Sequence, residues 1–373
     1  MGTVEAADRA PIVARLPLRR LVVGPPPGPD RIAFHNIWFR GHNNPRYTAL
    51  LPRLGRVDPY LLTCSDRRIV RGVQFRALRA SRQVRNPLTF AAINRRYQSL
   101  LTSDIEQIPY FRGQIVVDID DPRFTEVEAG LLGHPNVAAY VVTAESAACR
   151  FEAMGVVTPS HVVPQGVAFA TVDPSDVARL AARRRPGQVV VGWLAAWLLT
   201  EADRDGANPL YNVDHLLELW DEVRHRAPQA VLWLVGQASP RVRERCEGRD
   251  DIVVVGRVPQ AEALAHVANF DVALYPRRVD HAPFAVKLAE FLGLGAPVVA
   301  YDLGLTRMVA DAGAGILVTT PSEFVAAVLQ LVEDPALRRR QSENAREAGR
   351  RLDWDVLAAG YERDVLDRYL SPP

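Results

Sequence analysis

Short apolar runs rich in β-branched residues recur along this chain, and each gives way to a helical pattern. In the second half the runs are Gln188–Gly192, Val231–Val235, Ile252–Val255, Val272–Tyr275 and Pro297–Tyr301. In the first half they are Arg31–Trp38, Gln114–Asp118 and Val137–Thr143. Helical spacing follows: Tyr47, Leu50, Leu51 and Leu54 after the earliest run, Glu145–Met154 after the third, Val213–Arg226 after Gly192. Strands apolar on both faces, separated by helices, belong to parallel sheets covered on both sides. A chain of 373 residues has room for two such sheets, each with its own core. The predicted architecture is therefore α/β, with two Rossmann-like doubly wound domains.

Their boundaries follow from composition. Residues 1–30 form a Pro-rich extension ending in GPPPGPD, and residues 31–172 the first domain. The polar, Arg-rich stretch 173–187 reads as a linker, 188–350 as the second domain, and 351–373 as a C-terminal helix. Ligands of open α/β sheets bind beyond the carboxyl ends of the strands, so two facing domains would share one cleft. On the second domain the edge is lined by Gly192, Gly236, and the loop Pro276–Arg277. On the first domain it is lined by Gly41, His42 and Asn43, ahead of a helix entered through Asn44 and Pro45, and by Asp118, Asp120 and Asp121. A helix start after a glycine loop suits an anion. The aspartates suit turn capping or contact with an acceptor hydroxyl.

Lys287 is the only lysine in the chain, and Glu290 lies three residues on, on the same helical face. A solvated face is one reading of that pair. The other is a site in which the ammonium meets a phosphate and the carboxylate accepts from paired hydroxyls.

Several classes are disfavoured. Cys64, Cys149 and Cys246 form no CxxC pair, which argues against structural zinc and a disulfide framework and suits a cytoplasmic setting. There is no apolar run of membrane-spanning length and no secretory h-region. The net charge of +2 hides a basic stretch, Arg53 to Arg96, with eleven arginines against Asp58 and Asp66. A solvated helix face or peripheral contact with an anionic membrane fits it. Nucleic acid is not expected, because no reading motif accompanies the charge.

The run PFAVKLAEFLGLGAPVVAYD (283–302) resembles the donor-binding stretch of retaining GT-B glycosyltransferases of the family-4, or group 1, type. HVVPQGVAF, VGWLAAW, VLWLVGQ, IVVVGRVP and FDVALYP fall in that family's order, and Trp354 resembles the aromatic before a helix that crosses back to the first domain. The resemblance implies transfer of a sugar from a nucleotide-diphosphate sugar to a glycan, lipid-linked or natural-product acceptor, with no cofactor and no metal. Glu290 would bind the ribose, Lys287 would neutralise the diphosphate, Gly41 would approach the phosphates and sugar, and Arg257 and Val258 would flank the base. The family's acceptor-side histidine has no clear equivalent; His35 and His42 are candidates, with a structural histidine the other reading of each. Two positions depart from the family pattern: Ala282 replaces a glutamate, and Trp193 or Leu194 an arginine. Arg277 or Arg278 could supply the missing charge. A non-catalytic partner, or an epimerase or phosphorylase, is the alternative on the same fold.

Overall fold

The computed structural model describes residues 28, 30–35, 44–59, 90–91, 93–169, 172–203, 212–278 and 286–370. Gly41, His42, Asn43, Ala282, most of the 1–30 extension and most of the Arg53 to Arg96 stretch lie outside them.

The chain divides into two units, Met1–Pro164 with Trp354–Pro373, and Gln165–Asp353. The first contains β1 (Ile32–Phe34), β2 (Val57–Pro59), β3 (Ser99–Thr102), β4 (Gln114–Ile119), β5 (Val137–Val142) and β6 (Ser160–Val162). They form one sheet in the order β2-β1-β3-β4-β5-β6, with parallel pairing throughout. The order reverses at β1. Ile115, Val117, Tyr140 and Val142 pack with Leu132, Ala147 and Phe151 into its core.

The second unit contains β7 (Val189–Leu198), β8 (Ala230–Ala238), β9 (Ile252–Gly256), β10 (Val272–Tyr275), β11 (Val298–Tyr301) and β12 (Gly315–Val318). Their order, β12-β11-β10-β7-β8-β9, is that of a dinucleotide-binding sheet, with the topological switch between β7 and β10. Helix Asp214–Arg226 buries Leu216, Leu217, Leu219, Trp220 and Val223. Helix Pro321–Glu333 is capped by Thr320 and Glu323 acting reciprocally.

Three expectations need correction. The strand expected to end at Gly192 continues to Leu198, because β8 pairs with it as far as Ala238. Gly192 and Gly236 therefore sit inside strands. The predicted linker 173–187 is largely structured: Asp173 caps helix Pro174–Ala181, Asn269 donates to Val177 O at 3.1 Å, and Arg184 pairs with Asp271. The chain passes between units instead at Pro164/Gln165 and Asp353/Trp354.

A candidate donor site at the switch point of the second unit

The β7–β10 ladder is short. Val272 pairs with Val191 and Ala273 with Gly192, and there it ends. Past that point the strands carry Trp193 and Tyr275, whose rings stand 5.9 Å apart at 62°. Both are buried. Arg277 follows two residues after Tyr275. Its Nη1 donates to Tyr275 Oη at 2.9 Å, and its guanidinium carbon lies 5.1 Å from the Tyr275 ring centroid and 6.0 Å from that of Trp193. Pro276 is buried between them in sequence, whereas Arg278 is exposed.

Helix Val286–Gly293 comes next among the described residues. Leu288, Ala289, Phe291 and Leu292 fix its inner face. Gly295, at φ +76°, ends it: Gly295 N–H donates to Leu292 O at 2.9 Å and Ala296 N–H to Phe291 O at 2.9 Å. That is a left-handed glycine cap with its two reversed hydrogen bonds. Lys287, half-buried, and Glu290, 8% exposed, share this helix. Burial, reinforced by the nearby charge of Arg277, pushes Lys287 below the ordinary lysine range, and Glu290 opposes the shift. Burial raises Glu290, while Lys287 and a hydrogen bond with the Gln260 side chain pull it back. Gln260 opens the helix after β9, so Glu290 reaches the loop that carries exposed Arg257 and half-buried Val258. The structure thus joins Pro276, Arg277, Lys287 and Glu290 at one edge. Gln260 was not singled out from sequence: an exposed glutamine at a helix start carries no pattern of its own.

Gly192 and Gly236 contribute otherwise than expected. A Cβ on Gly192 would lie 2.3 Å from the Phe270 ring, and one on Gly236, at φ +147°, 1.9 Å from Ala195 O. Their bare backbones admit neighbouring protein atoms, which makes them packing glycines. Gly236→Ala is expected to cost about 1–3 kcal/mol through overpacking alone, read as a lower midpoint of urea unfolding.

In the first unit, Asp118 is wholly buried rather than open to an acceptor. Arg46 meets it through two bonds, Nε to Oδ1 at 2.8 Å and Nη2 to Oδ2 at 2.9 Å, and Tyr47 Oη donates to Asp118 O at 2.9 Å. Asp120 accepts from Asn44 Nδ2 at 2.7 Å. Burial, with Asp118 adding to it, raises its carboxyl despite that bond. Asp121 is exposed. His35 is 2% exposed and packs edge-on against Phe90 at 5.6 Å, as a core histidine does. Among the described residues, no three His, Cys, Asp or Glu side chains converge as a metal site.

Residues 206–334 match the family described as Glycosyl transferases group 1. That match lies within the second unit, which resembles a group 1 glycosyl transferase domain there. Two curated relatives match over slightly more than half the chain. One is the phosphatidyl-myo-inositol mannosyltransferase of Mycobacterium leprae, 28% identical over 56% of this chain and 54% of that protein. The other is the glycosyltransferase 1 domain-containing protein 1 of Xenopus tropicalis, 25% identical over 56% and 60%. The chain thus spans between half and two thirds of these relatives' lengths. Among solved structures, Anabaena Alr3699/HepE in complex with UDP has a TM-score of 0.65 at 16% identity, covering 90% of this chain and 99% of that one. Sucrose-phosphate synthase from Thermosynechococcus elongatus has a TM-score of 0.57 at 20% identity over 76% and 77%. Such likeness places both units in the GT-B fold. Among the described residues, no helix is long and apolar enough to cross a membrane.

Proposed function

We propose that this protein transfers a sugar from a nucleotide-diphosphate sugar to an acceptor hydroxyl, with retention at the anomeric carbon and without a metal ion. One observation carries the reading: a cation and a carboxylate, Lys287 and Glu290, share one helix beside the switch point of a dinucleotide-type sheet. The nucleotide complex of HepE, a protein of the same fold, supports it.

In this reading Glu290 accepts from the ribose hydroxyls. The bond between the anomeric carbon and the diphosphate oxygen breaks, and the electron pair leaves with the diphosphate. Lys287 meets the charge that develops there, which is where a preorganised cation lowers the barrier. The acceptor oxygen then bonds to the anomeric carbon on the face the diphosphate left, and its proton passes to the departing phosphate oxygen. The protein's own tasks are charge stabilisation and alignment of the acceptor.

Incubation with UDP-, GDP-, TDP- and ADP-linked hexoses and a panel of sugar and inositol-lipid acceptors, read by proton NMR of the product anomer, tests this. The lipid arm is included because the Mycobacterium leprae relative is named for such an acceptor. A product with the donor's anomeric configuration is expected in EDTA as in magnesium. An inverted product, or turnover only with metal, would contradict the mechanism; no product with any donor favours the non-catalytic alternative. Peripheral membrane contact through the basic stretch predicts salt-sensitive cosedimentation with phosphatidylserine vesicles. Equal recovery at low and high salt would remove it.

A further inference from the structure

We propose that Arg277 is the second cation of the diphosphate site and that Trp193 and Tyr275 hold its guanidinium there. The inference rests on the sugar-transfer reading and names the residues that take the donor's phosphates. The β7–β10 ladder stops at Gly192 and Ala273, so the strand ends part at the switch point, where ligands of such sheets bind. Trp193 and Tyr275 are the aromatic residues just beyond it, and Arg277 is seated on both rings, tied to Tyr275 Oη at 2.9 Å. An arginine over aromatic faces keeps its planar fork in one orientation, ready for bidentate contact with a phosphate.

Arg277 also stands close enough to Lys287 for their charges to oppose each other. Two cations held side by side attract an anion more strongly than either does alone. Glu290 offsets part of that charge, and burial holds its own carboxyl toward the neutral form. A diphosphate offers two phosphate centres to two cations of different shape: the fork suits one, the compact ammonium the other. Trp193 or Leu194 stands where the family resemblance calls for an arginine.

The test is calorimetric titration of the full chain with UDP, GDP, TDP and ADP and with the matching monophosphates. Wild type, Arg277→Gln, Arg277→Lys and Tyr275→Phe are compared, each with a thermal unfolding scan. Arg277→Gln is expected to weaken the diphosphate on the order of tenfold to a hundredfold, the range of a charge-assisted bond, and the monophosphate far less. Arg277→Lys is expected to recover part of the loss, and Tyr275→Phe to lower the diphosphate-to-monophosphate affinity ratio slightly. Equal weakening of mono- and diphosphate, or an unchanged ratio in all three variants, overturns the proposal and leaves Arg277 a structural residue. If Arg277→Gln does not fold, the ratio in the other two variants decides. A wild type that binds none of the nucleotides overturns the sugar-transfer reading itself, before any variant is compared.

Discussion

Arg46→Ala is expected to destabilise the first unit by about 3–5 kcal/mol, because it leaves a buried carboxylate without its partner. Both members of the Arg46–Asp118 pair are fully out of solvent, and the guanidinium has further duties. Its Nη1 donates to Val163 O and Pro164 O, both at 3.1 Å. The Trp354 ring centroid lies 5.7 Å from its carbon. Those residues are the ends of the first unit where the chain leaves and returns, so one arginine ties both segments to β4. Tyr47 and Tyr361, buried nearby, feel Asp118 as well: burial first, then that carboxylate, raises both phenols. Urea unfolding followed by tryptophan fluorescence should show the loss as an early transition of the first unit. Asp118→Asn should cost less than Asp118→Ala, since the amide keeps an acceptor for the guanidinium. Replacing both partners with apolar residues should recover much of the loss, as it does for other buried pairs. A shift in Arg46→Ala below 1 kcal/mol would mean that the pair is not dehydrated as the structure has it.

Lys287→Met is expected to lower kcat about 10²–10³-fold, the usual cost of removing one preorganised charge from a developing anion. Methionine keeps the stem and its packing, so the thermal midpoint should hold or rise. The pH dependence follows from burial. In the free protein Lys287 loses its proton below the ordinary value of 10.5, and a bound diphosphate restores it. Binding therefore takes up a proton between the two values, and affinity falls as pH rises through that window. Stability of the free protein changes in the opposite sense there. The unfolded chain holds the extra proton up to 10.5, so the folded state gains as pH rises. Glu290 gives the acidic limb. Its carboxyl is raised by burial, so ribose binding improves as pH rises through that raised value. Titrations in buffers of different ionisation enthalpy read the proton count directly. Proton release on diphosphate binding at mildly alkaline pH would contradict the assignment of Lys287.

The parallel sheets were legible because their central strands, such as β4, β8, β10 and β11, are apolar on both faces. The shared helix of Lys287 and Glu290 was legible because a spacing of three residues puts both on one face. What escaped depends on partners distant in sequence. Trp193 to Leu198 shows no alternation, and only the ladder with β8 makes it a strand. Gly192 looked like a strand end because the ring that fills its missing side chain, Phe270, lies far along the chain. The stretch 173–187 looked like a linker because its helix buries Leu180 alone. Arg46 left one trace: a cation in the first turn of a helix opposes the helix dipole, which calls for a specific carboxylate. That partner, Asp118, is 72 residues away, beyond the reach of any local pattern.

The measurement that bears most directly on the sugar-transfer account is calorimetric titration of wild type and Lys287→Met with UDP, GDP, TDP and ADP in EDTA. The account predicts that one nucleotide binds to wild type and that the variant loses it while remaining folded. Equal affinity in wild type and variant, or no binding of any nucleotide with or without magnesium, would contradict it.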